Sequence, residues 1–329
     1  MNARARRRSP RHARRLAGSA GVSVLLAAGA LSACGSTAPT ATDPGGPAAS
    51  SIPASPSDAG SGASGASGAP SSSGPVATGS PIEASPSAVH QVMVPVYFVT
   101  KTPRGPRLVQ ELHSVDAANP VLGAERALEA APNDPDYTSY YHSGDLGDAH
   151  FDGRSFTAVL TNTALAKRGT LSVADAKIAV QQLVYTLAAA QSAPGAPTRV
   201  ITGGATTPLF GIATSHGVTP ADQLVTLADI NVLRPAEGSR QSGTLRARGL
   251  ANSPEANVPW KITDAHGKVV KHGAATATGW MDKLYPWSTK IDISGLPAGR
   301  YTFSASTENQ ADSSEAAAPS VDTKTFTIS

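Results

Sequence analysis

Ser288-Thr-Lys-Ile-Asp-Ile-Ser-Gly-Leu-Pro-Ala-Gly-Arg-Tyr-Thr-Phe-Ser304 reads as strand, turn, strand. Ser288–Ile293 and Arg300–Ser304 are runs of strand length, and Ser294-Gly with Leu296-Pro-Ala-Gly299 breaks the chain between them. Working outward, the same unit recurs from Asp229 to the last residue. Ile230–Leu233, Thr244–Gly249, Val258–Thr263, Val269–His272 and Thr323–Ile328 are further strands. Pro235-Ala-Glu-Gly238 and Asp264-Ala-His-Gly267 supply turns between them. Short strands at this spacing, with no helix-length period, predict an all-β sandwich over residues 229–329. Trp260 lies mid-strand and is expected in the core. The only cysteine, Cys34, lies far upstream, so no disulfide can bridge this sandwich.

Upstream the periodicity is different. Met93-Val-Pro-Val-Tyr-Phe-Val99 is a β-rich run in which Pro95 suggests an edge or bulge. Leu108–Leu112 is its expected hairpin partner across Lys101–Pro106. Asn119-Pro120 opens a helix whose Val121, Ala124, Leu128 and Ala131 share a face, and Pro132 ends it. Phe151-Asp-Gly-Arg154 is a tight turn before a strand over Ser155–Thr161. Ser172 caps a second helix, with Asp175 at the third position and Ala176, Val180, Leu183, Val184 and Leu187 on one face. Thr198–Thr202 returns as a strand. This order predicts an α+β domain over residues 91–217, with both helices on one side of a small sheet.

The N-terminus carries seven arginines before residue 16, then a short apolar run, Gly21–Leu31, too short to span a bilayer comfortably. Leu31-Ser-Ala-Cys34 resembles the bacterial lipobox. That resemblance implies a lipoprotein signal peptide over residues 1–33 and an acylated (palmitate-type) Cys34, anchored at the extracytoplasmic face of the plasma membrane. More than one acyl chain makes such an anchor firm. Residues 34–90 are almost wholly Ser, Gly, Ala, Pro and Thr, too poor in apolar side chains to order, and are expected to form a disordered tether. Its r.m.s. reach is on the order of 40 Å.

The formal charge of +3 invites a nucleic-acid reading, but removing the seven leader arginines leaves −4, and a mildly acidic chain offers no basic field for phosphates. Nucleic acid is therefore excluded as a partner, and no cofactor motif is present. The sequence has no Gly-x-Ser-x-Gly elbow and no phosphate-binding loop followed by a helix.

Two stretches resemble known families. Val94-Pro-Val-Tyr-Phe98, Leu108-Val-Gln-Glu111, the Asn119–Ala130 helix and Gln182-Leu-Val-Tyr-Thr186 resemble the GerMN domain of sporulation and germination lipoproteins. Val232-Leu-Arg-Pro235, Glu255-Ala-Asn-Val-Pro-Trp260, Pro286-Trp287 and Leu296-Pro-Ala-Gly-Arg-Tyr301 resemble the immunoglobulin-like domain of bacterial spore germination proteins. Together they imply a two-module extracytoplasmic lipoprotein with no catalytic constellation to carry over. The expected function is non-enzymatic binding or scaffolding of a membrane or envelope protein partner. The alternative is binding of cell-wall glycan or peptidoglycan, and a hydrolase or metal protein ranks below both.

Two sets of side chains are candidates for chemistry. His142, Asp148, His150 and Asp152 offer imidazole and carboxylate at short spacing, weak candidates for a divalent ion because the spacing matches no recognised ligand set. Trp280, Tyr285 and Trp287 cluster before the Ser288 strand. They form either a candidate ligand or partner surface, or a lid with Trp287 packed against Trp260. Tyr137, Tyr140 and Tyr141 pose the same choice upstream.

Overall fold

The computed structural model describes residues 90–308 and 318–329. The expected signal peptide over residues 1–33, Cys34 and all but the last residue of the expected tether over 34–90 lie outside these residues. The described chain is an α+β module followed by an all-β, immunoglobulin-like sandwich.

The first module begins with two long strands, β1 (Gln91–Thr102) and β2 (Gly105–Asp116), paired antiparallel from Gln91↔Asp116 to Thr102↔Gly105. Helix α1 (Pro120–Glu129) follows. Pro120 occupies its first turn as the sequence suggests, but the Asn119 side chain makes no capping bond. Strands β3 (Leu146–Phe151) and β4 (Phe156–Leu160) flank the Asp152-Gly turn, where Asp152 accepts from the Arg154 and Ser155 amides. Helix α2 (Val173–Ala190) starts at Ser172, whose hydroxyl accepts from the Asp175 amide at 3.0 Å. β5 (Thr198–Thr202) pairs parallel with β4, and the short β6 (Ala205–Thr206) completes the sheet.

Two expectations change here. The strands form two sheets, the β1–β2 ribbon and a four-stranded β3–β4–β5–β6 sheet, rather than one small sheet. β3 is an additional strand, hidden in the sequence because a register shift between Leu146 and Ala149 breaks its alternation. Phe98, Leu128, Leu160, Leu183, Leu187 and Tyr141 close a single apolar core between these layers.

A one-turn helix, α3 (Gln223–Thr226), leads into the sandwich. β7 (Ile230–Arg234), β9 (Thr244–Ala251) and β12 (Tyr285–Asp292) form one sheet in the order β12–β9–β7. β8 (Ser239–Gln241), β10 (Asn257–Asp264), β11 (Val269–Thr276), β13 (Gly299–Ser306) and β14 (Val321–Ile328) form the other, in the order β11–β10–β13–β14–β8. All seven strands read from the sequence are present, and β8, only three residues long, is the addition.

Each sheet contributes one tryptophan lying over a glycine. Trp287 on β12 is the register partner of Gly249 on β9, and Trp260 on β10 that of Gly273 on β11. A Cβ at Gly249 would fall 1.9 Å from the Asn231 carbonyl oxygen and 3.0 Å from the Trp287 ring, and one at Gly273 2.6 Å from Trp260. Missing side chains thus give the indoles their room. Both indoles stack on Phe303, with centroids at 6.3 and 6.2 Å.

Candidate functional site at the junction of the two modules

Two kinds of contact join the modules. The first is apolar. Leu284, from the loop before β12, is buried among Tyr97, Leu108, Ile178 and Tyr185 of the first module and Leu227 of the connecting segment. The second is a buried polar network, built largely by β14. In the run Val321-Asp-Thr-Lys-Thr-Phe326, Asp322 and Lys324 share the inward phase with Phe326. Two charged side chains therefore occupy positions where a strand ordinarily places apolar ones.

What they meet explains why they are tolerated. Lys324 forms an ion pair with Asp134, both almost completely buried. It also donates to the Tyr137 hydroxyl at 2.7 Å, with its ammonium 4.1 Å from that ring's centroid. Asp322 receives four donors: the Tyr137 hydroxyl at 2.7 Å, the Thr323 amide at 2.9 Å, the Val232 amide at 2.5 Å and the Asn231 side chain at 3.4 Å. Asn231 in turn pairs with the backbone of Gln110, accepting from its amide at 3.1 Å and donating to its carbonyl at 3.3 Å. An amide side chain thus takes the place of a strand backbone and couples β7 to β2. Burial pushes the Asp134 and Asp322 carboxyls up, with Lys324 opposing the shift at both. Glu111 goes the other way: burial would raise it, but bonds from His113 and from the Asn133 and Asp134 amides outweigh burial and hold it below its ordinary value.

Two depressions open where the modules meet, separated by the loop that carries Leu284. One, of about 330 Å³, is lined by Pro103 and Arg104 from the β1–β2 turn and by Asp229, Asn252, Trp280 and Met281. Arg104 and Asp229 form an ion pair in its wall. Trp280 is 41% exposed and Met281 66% exposed. Met281 has φ +93°, a left-handed backbone that costs a non-glycine residue strain, and its amide donates to Asn252 Oδ1 at 2.8 Å. The Met281 thioether and the Trp280 indole thus stand exposed at the mouth of a cleft. The other depression, about 740 Å³, lies between Tyr97 and Tyr185 on one side and Asp282 and Lys283 on the other.

The aromatic trio of the sequence is thereby split. Trp280 is on the surface. Tyr285 is half-buried against Gly279, its hydroxyl bonded to Asp282 at 2.7 Å. Trp287 is 3% exposed and belongs to the core, so it cannot belong to an exposed patch. Its phase on β12, shared with buried Ile291, dictates this. It stacks on Phe303, as Trp260 does from the other sheet. Tyr137 and Tyr141 are likewise buried. His142, Asp148, His150 and Asp152 all face solvent; His142 lies 3.6 Å from Asp145, and Asp152 caps its own turn. Among the described residues, no three His, Cys, Asp or Glu side chains converge as a metal site would require.

One further buried acid escaped the sequence. Glu125 sits on the inward face of α1 beside Val121 and Leu128, 1% exposed, with neither carboxylate oxygen hydrogen-bonded. Burial, then the neighbouring Glu129, pushes its carboxyl up to about 8.

Comparison with known proteins agrees with the second module. Residues 229–314 match the family model of the immunoglobulin-like domain of bacterial spore germination. Among solved structures, the chain is similar to the tandem GerMN domains of the sporulation protein GerM from Bacillus subtilis. That likeness has 14% identity over 63% of each chain and a TM-score of 0.32. It is also similar to CopC from Methylosinus trichosporium OB3b, at 19% identity over 30% of this chain and 92% of that one, with a TM-score of 0.21. At such scores neither decides the architecture, which rests on the strand order above. No curated protein matches the chain.

Proposed function

We propose that the chain is a non-enzymatic, lipid-anchored binding or scaffolding protein of the cell envelope, acting at the extracytoplasmic face of the plasma membrane. Its surface for a membrane or envelope protein partner is the cleft around Trp280 and Met281. The observation that carries this reading is a pair of large apolar side chains, Trp280 and Met281, exposed side by side in a cleft to which both modules contribute, with Met281 held in a left-handed backbone. Exposed aromatic and methionine side chains rimmed by an ion pair are the ordinary make-up of a protein-binding hot spot. The match of residues 229–314 to the spore germination domain supports a non-catalytic envelope role. The lipobox supports the anchor.

The test is a photo-crosslinking amino acid at position 280 of the full chain in cells. A discrete adduct absent when the crosslinker is moved to exposed Val173 is the expected result; the same smear from both positions sinks the reading. Palmitate labelling of the full chain, lost in Cys34→Ala, checks the anchor separately. A second reading, binding of wall glycan, draws on the exposed indole face of Trp280. It now rests on that ring and Tyr285 alone. Sedimentation of the full chain with purified sacculi, abolished by Trp280→Ala, would favour it over a protein partner.

A further inference from the structure

On β9 and β12, residues facing out of the β12–β9–β7 sheet alternate with its core. Arg246 and Arg248 point away from Leu245 and Ala247, and Lys290 and Ser288 away from Ile291 and Trp287. The registers arrange these cations in two rungs. Arg246 lies directly opposite Lys290, and Arg248 opposite Arg234 on one side and Ser288 on the other. Successive rungs are about 7 Å apart, two residues along a strand. Together these residues surround a shallow depression of about 710 Å³.

Like charges directly opposite each other destabilise a sheet, and here both rungs are cation against cation. None of the four forms an ion pair among the described residues. The acids nearest in sequence hold no ion pair with these cations among the described residues: Asp292, on the same outward face two residues beyond Lys290, accepts from the Ser294 amide and hydroxyl, and Glu237 accepts from the Thr325 amide. The face therefore carries an unneutralised cost that a ligand of opposite charge would remove. Three of the four cations are arginines, whose planar forks grip phosphate oxygens in pairs. Two rungs, repeating along the strand, suit a chain of phosphates better than a single one.

We propose that this face binds a linear phosphodiester polymer whose phosphates are joined through short polyol units, one phosphate to each rung. The site is on a different surface from the Trp280 cleft and stands or falls independently of it. Net charge conceals it, because it sums the whole chain, whereas this face carries four cations and a single acid, Asp292, at its edge.

The experiment uses the full chain and a synthetic poly(glycerol phosphate) oligomer as probe, with binding followed by calorimetry across a salt series. Binding is expected, weakening as salt rises. Arg246→Gln/Arg248→Gln is expected to lower affinity about tenfold or more and to reduce the slope of log K against log salt by about 2. Lys268→Gln, on an exposed turn of the other sheet, should leave both unchanged. The double variant should also unfold at the same or a higher temperature than the parent, since it relieves the repulsion, so lost binding cannot be lost folding. Unaltered affinity in the double variant overturns the proposal, as does absence of binding. Equal arginine-dependent affinity for duplex DNA, or binding to phosphatidylglycerol vesicles without binding to the oligomer, overturns it in favour of those ligands.

Discussion

Inside the sandwich, cohesion comes from rings: Trp260 and Trp287 reach from opposite sheets onto Phe303, each over a glycine that leaves it space. At the junction between the modules it comes from charge: Lys324, Asp134, Asp322, Tyr137 and Asn231 satisfy one another out of reach of water. The two solutions differ in what they tolerate. Apolar surfaces can slide and repack at modest cost, whereas a buried ion with a misplaced partner loses nearly all its stabilisation. The ring stack therefore supplies stability, and the polar network fixes one relative placement of β14, β7 and the Asp134–Tyr137 loop.

That contrast can be broken most severely from the core side. Phe303→Ala removes the ring on which both indoles rest and should cost about 4 kcal/mol in urea unfolding. The loss should be confined to the sandwich. Lys324→Met leaves Asp134 and Asp322 buried without their cation and should cost about 3–4 kcal/mol. Its distinguishing mark is a single transition dividing into two, read by tryptophan fluorescence for the sandwich and by far-ultraviolet dichroism at the helical band for the first module. Adding Asp134→Leu to Lys324→Met should recover most of that stability while crosslinks between β2 and β7 become less specific. If the double variant is as unstable as the single one, burial of unpaired charge is not the reason for the loss.

Glu125 sharpens the comparison by supplying a buried acid with no hydrogen-bond partner among the described residues. Its folded-state carboxyl lies near 8, above the ordinary value of 4.5, so it stays neutral in the fold while the unfolded chain ionises, and its contribution to stability is whole only below about pH 4.5. Stability is then lost progressively as pH rises from there toward 8. Glu125→Gln should flatten this dependence and raise the melting temperature at pH 8 but hardly at pH 4.5; an unchanged pH profile would show that the carboxyl is solvated. The smallest effect belongs to the surface. Trp280→Ala should alter stability by less than about 0.5 kcal/mol, because its indole is held in water rather than packed, and should be felt only in crosslinking to a partner.

The sandwich was legible because its strands are short and its turns carry Gly, Pro and Asp at the required points. β8 was not, since three residues lack a period and pair in parallel with Phe326–Ile328 only after the fold has formed. The candidate site was read less well. Nearness in sequence groups Trp280, Tyr285 and Trp287, whereas the phase shared with Ile291 assigns Trp287 to the core. The same phase, extended from Phe326 back to Lys324 and Asp322, marks two charges on an inward face, a pattern that signals a buried partner. What no pattern could supply was the identity of that partner, because Asp134 and Tyr137 sit in a loop whose position only the tertiary structure defines. Glu125 shows the converse: spacing from Val121 and Leu128 puts it inside, and only its charge argued for the surface.

Lys324 follows Asp134 by 190 residues, which gives the junction a place in time as well as in space. At about 5–20 residues per second, the ribosome needs roughly 10–40 s to make what separates them. Throughout that interval the first module has Asp134 and Tyr137 in hand and no cation to set against them. Among the described strands that meet at the junction, β14 is the clasp made after the others, and a chain stalled or cleaved before Asp322 would carry a first module whose junction face cannot close.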